Sequence, residues 1–341
     1  MAVTVPPTNL NETVWARAAW YEMEALTPIT KLMGRSPNSI IQVKEELQAT
    51  AGSIIRFGLV MNAQGSPVTA DNTLIGNEEQ MVVYDESVTI SQFRNGIRLP
   101  GRMARQKTKL DYYKMAKTQL AKWNADVLEE NVVRSFCGDT SVSFGESGAA
   151  CTNIIYGGDA TSDGDMDSTD WLGTAELERL KEKAIINDPQ IKPIRAGDAG
   201  QEYYAVIMHP SVFAYLRSKD TNLRTAWERG QERGDTNPLF KPAQLIWNGM
   251  IIYVSKHCTA PASNCRRSVL LGAQAGVFAV GEKPFWKEDH SSMYADYDNT
   301  PGIATGRVCG FLKTQFNSAD FGVYAIDTWC PSTGLAGVAH S

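Results

Sequence analysis

The densest group of possible metal ligands in the sequence is an acidic run that begins at Asp163. Carboxylates alternate at Asp163, Asp165 and Asp167, and such alternation can wrap a hard cation such as Ca²⁺. A calcium loop starting at Asp163 requires glycine at its sixth position and glutamate at its twelfth, where this sequence has Ser168 and Thr174. We therefore expect a solvated turn, with adventitious calcium binding as the alternative, and predict no metal site.

Cysteine and histidine do not form an organised site in the sequence. The six cysteines are scattered, without a Cys-x-x-Cys pair; Cys258 and Cys265 come nearest, with His257 adjacent. Because structural zinc requires closely spaced ligand pairs, we predict structural thiols and no disulfide framework. His209 precedes Pro210 and is expected to cap a helix start.

The serine and glycine motifs do not match known catalytic or nucleotide-binding patterns. The segment Gly145-Glu-Ser-Gly148 lacks the Gly-x-Ser-x-Gly form of a hydrolase nucleophile. Residues 272–281 follow a predicted strand but lack the Gly-x-Gly-x-x-Gly spacing, so a tight turn between two buried segments is expected. We predict no catalytic residue and no cofactor, and hence a protein that is not an enzyme.

Basic side chains are concentrated where a strand-like segment leads into the strongest predicted helix. They are Arg94, Arg98, Arg102, Arg105, Lys107 and Lys109. Such a cluster can contact phosphate, because it raises the local potential. It can also pair with Glu78 and Glu79 of another subunit, which would set register and orientation, or remain a solvated face. The sequence leaves these three interpretations open.

The composition is that of an ordinary globular protein. A chain of 341 residues with 43% hydrophobic content can bury a sizeable core in one or two domains. Its net charge of −5 argues against an open nucleic-acid-binding surface as its main function. No apolar run approaches the roughly eighteen residues of a spanning helix, and the start does not resemble a secretion signal. We therefore expect a protein that remains in the cytoplasm where it is made.

Residues 52–106 have the make-up of a long, flat arm rather than of a core. Residues 54–61 and 81–99 alternate like strands, whereas residues 62–80 are polar and lack apolar periodicity. A connection of that length inside a compact domain is usually functional or disordered. Because two strands alone cannot build a core in water, we expect this hairpin to lie on a neighbouring copy of the protein.

A second candidate for contact with a partner is the N-terminal segment. Residues 11–33 show the spacing of an amphipathic helix, broken by Pro28. The apolar positions are Trp15, Ala19, Met23 and Leu26. We interpret this segment as an N-terminal arm that packs on a partner.

The strongest helical pattern covers residues 108–136, where apolar residues repeat at three and four positions. They include Tyr113, Ala116, Leu120, Trp123 and Val127. Thr108 and Asp111 form a plausible capping box at the start, and Gly138 follows the end. A helix of this length would extend about 42 Å, which suggests a structural spine.

The remainder of the sequence predicts an α+β fold. Residues 138–170 are rich in Gly, Ser, Thr and Asp and are expected to form a surface insertion or loop. A helix is predicted over 174–187, ending before Pro189, with apolar positions at Leu177, Leu180, Ala184 and Ile185. A shorter helix is expected over 211–218, and strands over 203–208, 250–255, 268–271, 277–280, 308–316 and 321–326.

Several short segments occur in the same order as in one known protein family. They are Leu74-Ile-Gly76-Asn77-Glu78-Glu79, Tyr84, Val88-Thr-Ile90-Ser-Gln92-Phe-Arg94, Arg98, Gly101, Gln106, Asn237-Pro238-Leu239-Phe240, Trp247-Asn248-Gly249-Met-Ile-Ile252, Leu270-Leu-Gly272-Ala-Gln-Ala275 and Asp320-Phe321-Gly322-Val323. With the order of the predicted elements, they resemble a major capsid protein of tailed bacteriophages. The resemblance extends from about Trp15 to Thr328. It depends on the order of the segments, because no single motif is specific for the family.

This resemblance implies the α+β tailed-phage major capsid fold (Johnson-type), in which an N-terminal arm, an extended β-hairpin loop and a long spine helix accompany a peripheral and an axial domain. It places the arm at residues 1–45 and the extended loop at 50–105. The peripheral domain, with the spine helix and the surface insertion at 138–170, would cover 106–200. The axial domain and the remaining peripheral strands would cover 201–341.

The resemblance also implies a function. The protein would self-assemble, as pentamers and hexamers, into an icosahedral head shell that encloses double-stranded DNA without sequence-specific binding and without a membrane. A separate scaffolding protein, a portal and a decoration protein are further candidate partners. The protein would be located in the virion after assembly in the host cytoplasm.

Subunit contacts are expected at the arm, at the loop tip and at the loop root. The candidate residues are Trp15, Trp20, Gly76, Asn77, Glu78, Glu79, Arg94, Arg98 and Arg102. Two alternatives remain: an encapsulin-type compartment that encloses enzymes, and a soluble enzyme whose site the sequence does not reveal.

Overall fold

The computed structural model describes residues 28–46, 52–60, 65–108, 110–187, 189–196, 201–221, 223–225, 245–290 and 295–331. The helices are a 3-10 helix (Pro28–Leu32), α1 (Arg102–Lys107), α2 (Tyr112–Phe136), α3 (Thr174–Ile186) and α4 (Pro210–Lys219). The helices that the structure describes are not long and apolar enough to cross a membrane.

Strands outnumber helices and occur along the whole described chain. They are β1 (Met33–Gly34), β2 (Ile41–Lys44), β3 (Ile54–Val60), β4 (Val83–Thr89), β5 (Ser91–Arg98), β6 (Ser143–Phe144), β7 (Glu146–Ser147), β8 (Ile154–Tyr156), β9 (Ile194–Ala196), β10 (Gln201–Met208), β11 (Leu245–Trp247), β12 (Met250–Val254), β13 (Cys265–Leu271), β14 (Gly276–Asp289), β15 (Gly302–Lys313), β16 (Gln315–Phe316), β17 (Ala319–Asp320) and β18 (Val323–Trp329). The mixture of helices and sheets confirms the predicted α+β class.

A five-stranded sheet has the order β1-β2-β14-β15-β5. The long antiparallel pair β14 and β15 forms its centre, β2 joins β14 in parallel, and β5 joins β15 antiparallel. Ile41 of β2 is buried, as are Ile29, Leu32 and Ile40 in the segment that leads into it. The described part of the predicted N-terminal arm, residues 28–45, is therefore built into the body of its own subunit rather than extended away from it.

The second large sheet has the order β11-β12-β10-β13-β18-β8, and β9 pairs with β10 beside this path. Strand β10 lies between β12, which is parallel to it, and β13, which is antiparallel. The middle strands read as nearly continuous apolar runs, because helices α3 and α4 cover one face and burial on both faces requires such runs. This sheet holds the predicted strands at 203–208, 250–255, 268–271 and 321–326.

The spine helix α2 begins later than its sequence pattern predicts. Asp111 is its N-cap, and the Asp111 side chain accepts a hydrogen bond from the Lys114 amide at 3.1 Å. The predicted capping box at Thr108 is wrong, because Thr108 instead ends helix α1 and its hydroxyl bonds the Ala104 carbonyl. Twenty-five residues extend about 37 Å. Gly138 follows with a φ of +77°, as expected for a residue that terminates a helix.

The largest apolar core lies between α2 and the two sheets. On α2 its buried residues are Leu128, Val132, Val133 and Phe136. Phe136 meets Phe311 of β15 edge to face, with ring centroids 5.1 Å apart. A smaller core joins Leu120 of α2 to Trp286 and Leu99, which fixes the first half of the helix where the extended loop returns. The spine helix is thus held by long-range contacts along its length.

The segment 138–170, predicted to be a surface insertion, contains several residues that are buried in the body. Phe144 is fully buried and stacks on Phe93 with a centroid distance of 4.4 Å. Strand β8 pairs in parallel with β18 at the edge of the second sheet, and Ile155 is buried there. Part of the glycine content reflects close backbone packing: a Cβ on Gly148 would lie 2.0 Å from the Asp139 carbonyl oxygen.

Other local predictions can be compared with individual residues. His209 caps α4, with Nδ1 accepting a hydrogen bond from the Ser211 amide at 3.1 Å, as predicted. In α3, Leu177, Leu180 and Ala184 are buried as expected, whereas Ile185 is 45% exposed. The apolar stripe is narrower than the sequence suggests, because Ile185 lies just past the face that meets the second sheet.

Candidate assembly interface

The extended loop is a β-hairpin, but it is shorter than its sequence pattern suggests. Strand β3 pairs antiparallel with β4, so that Ile55 lies opposite Val88 and Phe57 opposite Glu86. The predicted second strand at 81–99 divides at Ile90, because β5 leaves the hairpin and pairs with β15 in the five-stranded sheet. Only the part of the loop before this division can project from the body.

The base of the hairpin rests on its own subunit. Ile55 and Val88 are buried together with Val277 and Ala279 of β14, and Phe57 packs against this cluster. These contacts give the two strands the apolar surface that an isolated hairpin lacks. Further along β4, the Tyr84 ring centroid lies 6.2 Å from that of Phe316.

Beyond the base, the loop exposes large apolar side chains. Leu74 is 60% exposed, Ile75 83%, Met81 70%, Val82 46% and Val83 53%. So many exposed apolar residues in one short segment are typical of an interaction surface rather than of an ordinary solvated loop. We call residues 74–83 the tip surface.

The acidic residues of the tip surface bond the loop's own backbone. Glu78 accepts a hydrogen bond from the Gly76 amide at 2.8 Å, and Glu79 accepts one from the Gly65 amide at 2.7 Å. Gly76 has a φ of +87° and open space around its α-carbon, so the turn requires glycine for its backbone conformation. Asn77 closes the turn by donating to the Thr73 carbonyl at 3.0 Å.

The basic residues at the loop root divide into two groups. Arg94 and Arg98 are exposed on β5. Arg102, on α1, pairs with Asp298 at 2.7 Å while its side chain stays 67% exposed. Arg105 turns inward and bonds the Tyr113 hydroxyl and the backbone carbonyls of residues 298 and 299. The sequence cluster is therefore not a single basic face.

An ionic network fixes the turn that faces this root. His290 Nδ1 lies 2.7 Å from Asp298, and Nε2 lies 3.2 Å from Glu288, which also pairs with Lys117 at 3.4 Å. Hydrogen bonding to Asp298 raises the pKa of His290, and the same bond lowers the pKa of Asp298. The network ties the turn between β14 and β15 to the spine helix.

Apolar side chains are exposed around the same root. Met103 is 70% exposed, Leu110 53%, Met115 43% and Tyr297 97%. Tyr297 stands in a turn in which residues 296–298 all have positive φ. We call Arg94, Arg98, Met103, Leu110 and Tyr297 the root surface. The sequence identified its charges but not its apolar part.

The sequence did not reveal one further charged cluster. Ligand atoms of Asp163, Cys265 and Asp327 lie within 4.8 Å of one another. Arg267 donates to both Asp327 oxygens, so a guanidinium already occupies this carboxylate. Burial raises the pKa of Asp327 to about 6. Asp163 therefore lies beside Cys265 and Asp327 of the second sheet, although the sequence predicted a solvated turn.

The remaining predicted features can be placed as follows. The six cysteines are free and buried, and burial raises the pKa of Cys265 to about 12. Residues 272–275 form the expected turn between β13 and β14, with the Gln274 backbone at a φ of +60°. Trp15, Trp20 and Lys109 lie outside the described residues.

Comparison with known proteins identifies the family of this chain. A family model described as phage capsid protein matches residues 8–332. The chain belongs to the phage capsid protein family. The major capsid protein of Pseudomonas phage KPP25 is 30% identical over 366 aligned positions, which cover 93% of this chain and 94% of that protein.

Solved structures agree with this assignment. The capsid of Ralstonia phage GP4 matches with a TM-score of 0.77 and 26% identity, covering 90% of this chain and 92% of that chain. The capsid asymmetric unit of cyanophage Pam1 matches with a TM-score of 0.74 and 20% identity, covering 89% and 92%. The predicted tailed-phage capsid fold is confirmed.

The protein is a phage major capsid protein, a structural subunit of the head shell and part of the virion. The comparisons favour this function over an enzyme compartment or a soluble enzyme. Membership in a structural family points to a building block rather than a catalyst. The exposed surfaces of the hairpin and its root are therefore candidates for contacts between copies.

Proposed function

We propose that neighbouring subunits of the shell contact each other head to tail, with the tip surface of one subunit lying on the root surface of the next. The observation that carries this proposal is the 83% exposure of Ile75 on a loop whose base is firmly packed. Such a loop holds an apolar side chain in water unless another molecule covers it.

The two surfaces are complementary in chemistry. The tip surface combines apolar side chains with Glu78 and Glu79, and the root surface combines Met103 and Leu110 with exposed arginines. Apolar burial would supply most of the attraction, roughly 1–2 kcal/mol for a side chain such as Ile75. Pairing of opposite charges would mainly select register and orientation.

The contact joins two different surfaces, so it is heterologous. Contacts of this kind close into rings when the rotation between neighbours permits, and rings that share further contacts can close into a shell. The affinity of each single contact can be modest, because each subunit binds several neighbours at the same time and the shell is held by all of these contacts together. This supports pentamers and hexamers as the units of an icosahedral shell.

The shell would enclose double-stranded DNA without reading its sequence. The net charge of −5 supports this, because an acidic subunit does not hold DNA tightly. A separate scaffolding protein, a portal and a decoration protein remain proposed partners, and assembly would occur in the host cytoplasm. The proposed domains are an arm at 1–45, an extended loop at 50–105, a peripheral domain at 106–200 and an axial domain with peripheral strands at 201–341.

The test is an assembly assay on Ile75→Asp, with Ile186→Asp as a matched control. Ile186 is 67% exposed on helix α3, so both substitutions place a carboxylate at an exposed isoleucine. We expect Ile75→Asp to leave folded subunits that fail to form closed particles in sucrose gradients and negative-stain images. Ile186→Asp should assemble normally. Normal particles from Ile75→Asp would refute the tip contact.

The ionic part requires a separate experiment, because Glu78 and Glu79 also bond the loop backbone. Reversal of both charges to lysine should impair assembly. Additional reversal of Arg94 and Arg98 to glutamate should partly restore the yield of particles. Without such rescue, the loss would be attributed to the turn itself, and the pairing would be rejected.

A further inference from the structure

Two carboxylates lie on opposite sides of the joint between the extended hairpin and the body. Glu86 belongs to β4 of the hairpin, and its oxygens lie 3.2 and 3.3 Å from the Gln315 amide of the body. Glu146 belongs to β7 of the body, and it accepts a hydrogen bond from the Thr89 amide of the hairpin at 2.9 Å. The Thr89 hydroxyl also donates to Glu146. Each side of the joint thus offers a carboxylate to a backbone amide of the other side.

The arrangement is costly when both carboxylates are ionised. Glu86 and Phe57 stand opposite each other on the hairpin face that packs on the body, so Glu86 is partly removed from water. Burial raises the pKa of Glu86 from its ordinary 4.5 to about 7; the Gln315 amide opposes this shift and the nearby Glu146 adds to it. A proton on Glu86 removes its repulsion with Glu146 and leaves both hydrogen bonds to the backbone amides in place.

Among the residues that the structure describes, the charged groups around the joint do not pair with Glu86. The Gln315 side chain donates to Asp320 at 2.9 Å, and Asp320 is itself paired with the buried Lys313 at 2.8 Å. On the hairpin, Arg56 and Asp85 occupy positions that alternate with the packed face and are exposed. The state of the joint is therefore governed by the proton on Glu86.

We propose that Glu86, beside the carboxylate of Glu146, acts as a proton-operated latch, which clamps the extended hairpin onto the body when Glu86 holds a proton and loosens it when Glu86 is ionised. The consequence of the latch for assembly rests on the proposed function of the loop. A clamped hairpin presents the tip surface at one fixed angle. A loosened hairpin would sample several angles and dock more slowly on a neighbour.

The direction of the pH effect follows from linkage. The pKa of Glu86 is higher in the clamped state than in a solvated, open state, so the clamped state binds the proton more tightly. Clamping is therefore favoured at low pH and is progressively lost between pH 4.5 and about 7. If the pKa of Glu86 is 4.5 in the open state and about 7 in the clamped state, the opening equilibrium changes roughly thirtyfold between pH 5.5 and 8.5. Because solvent screens a partly exposed carboxylate, we expect a change of roughly tenfold.

The test is hydrogen–deuterium exchange on unassembled full-length subunits at pH 5.5 and 8.5. Protection factors remove the intrinsic effect of pH on amide exchange, and they are compared over residues 84–89 and at Gln315. We expect the wild-type protection to fall roughly tenfold at pH 8.5. Glu86→Gln should show equal protection at both values, and Glu146→Gln should shift the transition to lower pH. Asp85→Asn, on the adjacent exposed position, should behave like the wild type.

The outcomes separate the latch from the assembly contact. Wild-type protection that changes less than about twofold, or that changes equally in Glu86→Gln, would overturn the latch whatever the assembly result. If Glu86→Gln does not fold, an unshifted transition in Glu146→Gln overturns it equally. A further outcome is that protection depends on pH while the assembly rate of both the wild type and Glu86→Gln does not. That result would support the latch and would count against the loop as the assembly contact.

Discussion

Replacing Arg267 by methionine should destabilise the subunit strongly at alkaline pH. The guanidinium donates from Nε and Nη2 to the two Asp327 oxygens at 2.7 and 2.5 Å, and from Nη1 to the Cys137 carbonyl at 3.0 Å. It therefore joins the end of the spine helix to two strands of the second sheet. Arg267 is 8% exposed and Asp327 is fully buried. Methionine fills much of the same volume, so the change tests charge rather than a cavity.

The expected loss is about 3–5 kcal/mol of unfolding free energy, because the remaining carboxylate is buried without a counter-charge. Burial raises the pKa of Asp327 from 3.8 to about 6 even beside Arg267. The folded state therefore binds this proton more tightly than the unfolded chain, and stability falls as pH rises from 3.8 towards 6. Without the guanidinium the pKa of Asp327 rises further, so the loss of stability should be larger at pH 8 than at pH 5.

The assay is urea unfolding of unassembled subunits at one protein concentration, followed by near-ultraviolet circular dichroism at pH 5 and pH 8. The control Arg195→Met breaks an exposed pair with Glu202 and should change stability by less than about 0.5 kcal/mol. The double replacement of Arg267 by methionine and Asp327 by leucine should recover to within about 1 kcal/mol of the wild type. A single variant that loses under about 1 kcal/mol at pH 8, or loses the same at both pH values, would refute this reasoning.

Three smaller predictions address packing and capping by the same unfolding assay. Phe144→Ala should cost about 3–5 kcal/mol, since Phe144 is fully buried, whereas a true surface insertion would tolerate the change. Gly310→Ala should cost about 1–3 kcal/mol, because the new Cβ would lie 2.1 Å from the Thr89 carbonyl oxygen; Gly164→Ala, which meets nothing within 4 Å, is its control. Asp111→Ala should cost about 1 kcal/mol through loss of the cap on the spine helix, and an unchanged midpoint would show that the cap is not needed.

Elements whose signal lies within one stretch of chain were predictable from the sequence. The spine helix follows from apolar spacing at three and four residues, and its start was misplaced only because Asp111, not Thr108, provides the cap. The His209 cap and the strands of the second sheet are equally local features. Family membership was also predictable, since an ordered series of short segments survives in the sequence without any knowledge of contacts.

Features that depend on which distant segments meet were decided only by the tertiary structure. Alternation over 81–99 predicts extended chain, but it does not show that β4 pairs with β3 while β5 pairs with β15. The polar composition of 138–170 conceals a buried Phe144, and glycines such as Gly145 and Gly148 there serve close backbone packing.

The charged sites also depend partly on the sequence and partly on the tertiary structure. Arg267 and Asp327 are sixty residues apart, and Glu86 reaches an amide at residue 315, so no spacing rule connects them. The sequence determined which groups could ionise. The fold determined which of them are removed from water and placed face to face, because burial and distance set the energy of a charge.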